Sequence, residues 1–199
     1  RIASKKATPF DHAIDCLASA SDGWKGFTLS PGPSDRWIPL ACLTLLAERR
    51  EDARLKDSFN QQVIELKALL KDPQPIGYNQ VTPPDLDSSI WLRRCLISLG
   101  YRSSATLDEF LNEGASAASG LPTYPRPQEI ADFIHRPIEE LNGWCSAHDC
   151  VLANWAADPR MPQAAKALEQ LRVRLNQGLF SSYWWPLDGL ILSLLPRGS

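Results

Sequence analysis

Gly77-Tyr78-Asn79-Gln80-Val81-Thr82-Pro83-Pro84-Asp85-Leu86-Asp87-Ser88-Ser89-Ile90-Trp91-Leu92-Arg93-Arg94-Cys95-Leu96-Ile97-Ser98-Leu99 is the stretch on which the reading of this chain turns. It joins three parts. The Gly-Tyr pair and the two prolines make a stiff loop. Asp85, Asp87 and Ser88 are residue types whose side chains accept from the free amides at the start of a helix. Ile90 to Leu99 is then hydrophobic nearly all round, as a helix buried on most sides must be.

The same order of parts recurs four times along the chain. Gly23-Trp24-Lys25-Gly26-Phe27 precedes Pro33-Ser34-Asp35 and the apolar run Trp37 to Ala47. Gly143-Trp144-Cys145-Ser146-Ala147-His148-Asp149 leads into Cys150 to Ala157, and Gly178 leads past Tyr183-Trp184-Trp185-Pro186 and Leu187-Asp188 into Gly189 to Leu195. Between copies the spacing is amphipathic: Phe59, Val63, Leu66 and Leu70 share one face, and so do Ala164, Leu168, Leu171 and Leu175. Buried helices alternating with half-exposed ones predict stacked αα-hairpins with an inner and an outer layer. No period-two run is sustained, so strands are not expected.

At 199 residues and 22.1 kDa, the chain is expected to be a single domain over residues 1–195, with Pro196-Arg197-Gly198-Ser199 reading as a protease-tag scar. The chain starts at Arg1 without an initiator Met, which reads as a processing boundary. A net charge of −2 provides no electrostatic footprint for nucleic acid, and no apolar run is long enough to span a bilayer. The five cysteines are an odd number, and three lie within apolar runs, which points to a reducing, cytoplasmic location.

Together, the repeats resemble the α/α-toroid superfamily of squalene and terpene cyclases and protein prenyltransferase β subunits. The likeness rests on Ser21-Asp22-Gly23-Trp24, similar to a worn Gln-Trp repeat, on Ser34-Asp35-Arg36-Trp37, and above all on Asp85-Leu86-Asp87-Ser88-Ser89. That last stretch is similar to the Asp-x-Asp-Asp/Thr-Thr motif of class II cyclases, with Ser88 departing from it. The resemblance implies that Asp87, the middle acid, protonates an alkene or epoxide, with Asp85 as its hydrogen-bonding neighbour. Full toroids close with more hairpins than the four that fit here, so the resemblance implies a partial, open ring or one completed by a partner chain or a second copy.

The acid role demands a carboxyl group kept protonated near neutral pH, which takes deep burial or a like-charge neighbour. The same residues also read as plain helix caps, and a cap lowers an aspartate's pKa through the amide donors it receives. Both readings stand at this point. The aromatic residues Trp91, Trp144, Tyr183, Trp184 and Trp185 are expected at the mouth of the ring, where their faces would stabilise positive charge, although packing between repeats explains them equally well. Cys145 and His148 are three apart; on a helix they would face one point, as a zinc pair or a thiol with its base requires, with Cys150 close behind. A buried Cys150 beside a capping Ser146 or Asp149 is the structural alternative. The charge run Glu48 to Arg54 reads as a solvated helix end. No phosphate-binding Gly loop, no dinucleotide fingerprint and no aspartate-rich class I metal motif occurs, so no cofactor or metal is expected.

The expectation is therefore an all-α protein whose stacked αα-hairpins form a partial or open α/α toroid. Its expected activity is that of an isoprenoid cyclase or isomerase: Asp87 gives the proton, Asp85 assists, Cys145 and His148 are candidates for proton removal, and Trp91, Trp144, Tyr183, Trp184 and Trp185 line the substrate. The competing expectations are a binding module that presents its open edge to a protein or an apolar ligand, and a zinc or thiol enzyme built on Cys145 and His148.

Overall fold

A computed structural model describes residues 8–20, 23–29, 31–115 and 120–179. The described residues are mostly helical, with one short antiparallel strand pair, β1 (Thr28–Leu29) and β2 (Gly32–Pro33). The helices run α1 (Pro9–Ser19), α2 (Trp37–Leu46), α3 (Lys56–Glu65), α4 (Lys67–Lys71), α5 (Leu86–Leu99), α6 (Ala105–Ala115), α7 (Pro127–Ile134), α8 (Asn142–Cys145), α9 (Asp149–Ala156) and α10 (Ala164–Asn176).

Helices α2, α5 and α9 are the apolar runs of the first three copies, and they form a central layer in which α5 packs against both α2 and α9. Each is followed in sequence by a more polar helix laid against it: α3 against α2, α6 against α5 and α10 against α9. Their side chains form one continuous core that includes Leu40, Leu43, Leu86, Ile90, Leu92, Leu96, Val151 and Ala153. The alternation of all-round and one-faced hydrophobicity is thus realised as three inner-outer pairs among the described residues. The fourth copy, Tyr183, Trp184 and Trp185 included, lies outside them.

Local chemistry fixes where the inner helices begin. The Ser34 hydroxyl accepts from the Ile38 amide at 3.0 Å, and Pro39 sits in the first turn of α2, where its missing N–H leaves no partner wanting. Helix α5 starts at Asp85, an extended residue (φ −128°, ψ 156°) whose carboxylate accepts from the Ser88 amide, and it ends at Gly100 in the left-handed region (φ 77°). The amphipathic stretch from Phe59 to Leu70 divides into α3 and α4 at Leu66, whose ψ of 5° interrupts the helix.

The loop ahead of α5 is pinned from several sides. Asp85 donates its amide to the Ile76 carbonyl at 2.9 Å, Leu86 donates to the Thr123 carbonyl at 2.8 Å, and the Ser89 hydroxyl bonds the backbone of Ile76. Gly77 is required there, because a Cβ at this position would run into the backbone carbonyls of Thr82 and Pro83. The Glu48 to Arg54 run contributes more than a solvated end: Arg54 bonds Asp52 and reaches back to Asp11 and Asp15, fastening α1 to the body.

Candidate active site

A cavity of about 520 Å³ opens at the N-terminal ends of α2 and α5, lined by both acids of the quoted stretch together with aromatic and aliphatic side chains. This lies within the size range of small-molecule sites. Asp85, Asp87 and Ser88 supply polar atoms; Trp37, Tyr78, Tyr124, Trp144, Ile130 and Ile134 supply much of the apolar wall. The aromatic residues fall into two groups. Phe27, Trp37 and Tyr78 have ring centroids 5.9 to 6.4 Å apart, and Tyr124 stacks on Trp144 at 5.9 Å and 22°.

The two carboxyl groups have different jobs in the fold. Asp85 caps α5: one oxygen accepts from the Ser88 amide at 2.7 Å and the other from the Ser88 hydroxyl at 2.8 Å. Asp87 caps nothing. Its oxygens accept from the Trp37 indole N–H at 2.9 Å and from the Asn154 side-chain amide at 2.8 Å. Capping and acid chemistry, which the sequence leaves competing for the same residues, are therefore divided between them.

Burial dominates the electrostatics. It pushes Asp85 up to about 8 against the lowering pull of the Ser88 amide, and the neighbouring charge of Asp87 pushes in the same direction. Burial likewise pushes Asp87 up to about 6, opposed by the hydrogen bonds from Asn154 and Trp37 and by the positive charge of Arg94. The expectation that a cap must lower an aspartate's pKa fails at Asp85, because the cost of desolvating the carboxylate outweighs the amide donor.

Behind Asp87 stands a polar relay within the core. Asn154 on α9 donates to Asp87 and accepts on its Oδ1 from the Arg94 guanidinium at 2.5 Å, which fixes the orientation of the amide. Arg94 is itself buried and lies over the Trp91 ring at 4.5 Å. Asp87, Trp91 and Arg94 stand at helical spacing on α5. Neither Trp37 nor Asn154 was singled out as a site residue from the sequence. A signal for Asn154 was present, since it is the one amide side chain in the run from Cys150 to Ala157, and a buried polar group in such a run needs a partner.

The other sequence candidates fall elsewhere. Trp144 lines the cavity. Trp91, expected at the mouth, is instead 5% exposed within the core beneath Arg94, because its position on α5 faces the helix layer. Cys145 and His148 do not share a helical face. Helix α8 ends at Cys145, and the chain then runs extended through Ala147, which bridges Pro122, while the His148 amide donates to the Leu121 carbonyl at 2.9 Å. Cys145 packs with the Tyr124 and Ile130 cluster, and burial raises its thiol pKa, the opposite of nucleophilic activation. His148 lines a separate cavity between the 120–121 segment and α10, and burial pulls its pKa below the usual histidine value. Among the described residues no group of three or more His, Cys, Asp or Glu side chains is placed to hold a metal ion, which overturns the zinc expectation for Cys145, His148 and Cys150. Cys150 is buried in the core as the structural alternative has it, but Asp149 pairs with Arg174 and does not cap. No described helix is long and apolar enough to cross a membrane.

The fold is terpene cyclase-like. The chain is similar to the type II terpene cyclase MstE from Scytonema in its apo form, at 26% identity and a TM-score of 0.71 over 92% of this chain and 55% of that one. It is similar to an arginine-to-alanine variant of MstE in complex with geranylgeranyl dihydroxybenzoate, its substrate, at 26% identity and a TM-score of 0.69 over 92% of this chain and 54% of that one. It is also similar to an aspartate-to-alanine variant of MstE in complex with merosterolic acid A, its product, at 25% identity and a TM-score of 0.70 over 92% and 55%. The chain thus spans about half the length of the solved structures it matches. No protein-family model and no curated protein matches it.

Proposed function

We propose that this chain carries the proton-donating site of a terpenoid cyclase that works without a metal, with Asp87 as the acid. The observation that carries the reading is a carboxyl group buried against an apolar, aromatic-walled cavity, its pKa raised to about 6 by that burial. Support comes from the likeness to the type II terpene cyclase MstE, variants of which are bound to geranylgeranyl dihydroxybenzoate as substrate and to merosterolic acid A as product.

The chemistry follows from the two hydrogen bonds at Asp87. A protonated carboxyl delivers its proton to the terminal alkene or epoxide of an isoprenoid, leaving a carboxylate and a carbocation. The Trp37 indole and the Asn154 amide already point at the two oxygens where negative charge then develops, so no reorganisation is needed. The cation meets the faces of Trp37, Tyr78, Tyr124 and Trp144, each contact contributing about 0.5–2 kcal/mol. Asp85 is the weaker candidate for the acid: both its oxygens are tied to Ser88, and the start of α5 depends on them. Its role is to hold that helix end, and the charge that develops on Asp87 helps to keep Asp85 protonated.

The same reading extends to architecture and setting. The inner-outer helix pairs belong to a partial α/α toroid, with the ring completed by a further all-α domain or by another copy. The protein is an isomerase of the reducing cytoplasm, the odd cysteine count supporting that location. Phe27, Leu29 and Phe133, exposed by 45%, 39% and 36% where they line the cavity, favour a second reading, in which the open rim serves chiefly to bind an apolar ligand or partner.

The test is turnover of a prenylated substrate in deuterated water. A cyclised product carrying one deuterium, lost together with turnover in Asp87→Asn, is the expected result. Cyclisation that survives Asp87→Asn overturns the assignment, and ligand binding without any cyclised product favours the binding module.

A further inference from the structure

Arg94 is held in the core at a cost to stability. It is 7% exposed, and its Nε has no hydrogen-bond partner among the described residues. Asp158, the acid whose charge acts on it most, gives both its oxygens to Arg160. An apolar side chain over Trp91 would leave no donor unmatched there. What Arg94 does make is one short bond, from Nη1 to Asn154 Oδ1 at 2.5 Å, with the Asn154 backbone carbonyl at 3.5 Å as a second acceptor.

The consequence lies at the other end of the amide. An asparagine side chain can turn either its oxygen or its NH2 to a neighbour, because the two ends are alike in shape. A guanidinium accepts nothing, so it must face the oxygen, and the NH2 is left to donate to Asp87 Oδ1 at 2.8 Å. The other carboxyl oxygen, Oδ2, receives the Trp37 indole N–H, which is also a donor only. Both partners of the carboxyl can give a hydrogen and neither can take one. Once Asp87 is protonated, its O–H finds no acceptor in either of them, and the carboxyl borders the cavity.

Building on the reading of the chain as a cyclase, we propose that Arg94 is a positioning residue that locks the Asn154 amide as a donor, so that the proton of Asp87 is left for a molecule in the cavity. Without the lock the amide turns over and its Oδ1 accepts the Asp87 O–H. That holds the proton away from the substrate, weakens the acid, and takes a donor from the carboxylate that proton transfer leaves behind. Asp87 and Arg94 stand two turns apart on α5, so one helix carries both the acid and its lock, and α9 supplies the amide between them.

Arg94 also acts on Asp87 as a nearby positive charge, so the test must separate the lock from the charge. Asn154→Leu does so when it is introduced both into the wild type and into Arg94→Met, because leucine neither gives nor takes a hydrogen. In the wild type it removes a donor, and kcat for cyclisation of geranylgeraniol should fall. In Arg94→Met it removes the misplaced acceptor. There kcat should rise by about threefold or more over Arg94→Met alone, which itself lies about tenfold or more below the wild type. KM should stay within about twofold throughout, since neither side chain is among the described lining of the cavity. Arg94→Lys keeps a cation with donors and no acceptor and should recover most of the turnover. If adding Asn154→Leu to Arg94→Met leaves kcat unchanged or lowers it further, the amide is still a donor there and the lock is overturned, with the cyclase reading intact. A melting temperature of Arg94→Met below the assay temperature overturns it too, because Arg94 is then a support of the fold. Failure of the folded wild type to cyclise the probe overturns the cyclase reading itself.

Discussion

Replacing Asp85 by Asn is expected to make this protein more stable, and the gain should depend on pH. The amide keeps the cap: its oxygen accepts from the Ser88 amide, as the carboxylate does at 2.7 Å, and its NH2 donates to the Ser88 hydroxyl, which the carboxylate accepts from at 2.8 Å. Asn is as good an N-cap as Asp. What disappears is the penalty of burying an ionisable group whose pKa rises from 3.8 in the unfolded chain to about 8 in the fold. A group that binds its proton more tightly when folded contributes its stability fully below the unfolded value, and that contribution is lost as pH rises through the folded one. The wild type should therefore lose ground to the variant between pH 4 and pH 8. At about 1.4 kcal/mol per pH unit, the upper bound at pH 7 is on the order of 4 kcal/mol, and relaxation of the site reduces it to about 2–4 kcal/mol. For a chain of this size that is a rise in Tm of roughly 5–15 °C. Urea denaturation followed by tryptophan fluorescence at pH 4, 5.5 and 7 measures it directly. A variant no more stable than wild type at pH 7, or an advantage that does not shrink towards pH 4, would refute the claim that desolvation outweighs capping at this residue.

Two further outcomes follow from the partners of Asp87. Trp37→Phe keeps a ring in the aromatic group and removes the indole N–H at 2.9 Å, so the ionised form of Asp87 loses a donor and its pKa rises further. The alkaline limb of the cyclisation rate, set in the wild type at about 6 with activity lost as the pH rises above it, should move up by about one unit while kcat falls. A pH–rate profile checks both. Asn154→Leu takes from the buried Arg94 guanidinium its side-chain acceptor, leaving only the backbone carbonyl of residue 154 at 3.5 Å, and should cost about 2–3 kcal/mol in urea denaturation. Adding Arg94→Met should recover much of that stability without restoring turnover, separating the relay's structural part from its effect on Asp87.

Much of the architecture was legible in the chain. The all-round apolar runs at Trp37, Ile90 and Cys150 became the inner helices, since a helix without a polar face to turn towards water must be covered on most sides. Asp85-Leu86-Asp87 pointed to a loop-to-helix junction and, through the resemblance, to a pair of acids at a site. The i, i+3 argument for Cys145 and His148 misled, because it assumed a helix where the His148 amide bonds the Leu121 carbonyl and Ala147 bridges Pro122, drawing the backbone out straight. Trp91 and Trp144 are alike as residues, yet one lies under Arg94 and the other beside Tyr124. Hydrophobicity says that a ring is buried and not which surface buries it.

Local spacing and residue type settled the helices, their starts and the presence of two neighbouring carboxyl groups, because those depend on interactions within a few residues along the backbone. Which carboxyl caps and which faces Trp37 and Asn154 was decided by tertiary structure alone. Those partners lie 50 and 67 positions away in sequence, and only packing of α2 and α9 on either side of α5 brings an indole and an amide to the same acid. The raised pKa values have the same origin, since desolvation is a property of the folded surroundings and not of any residue by itself.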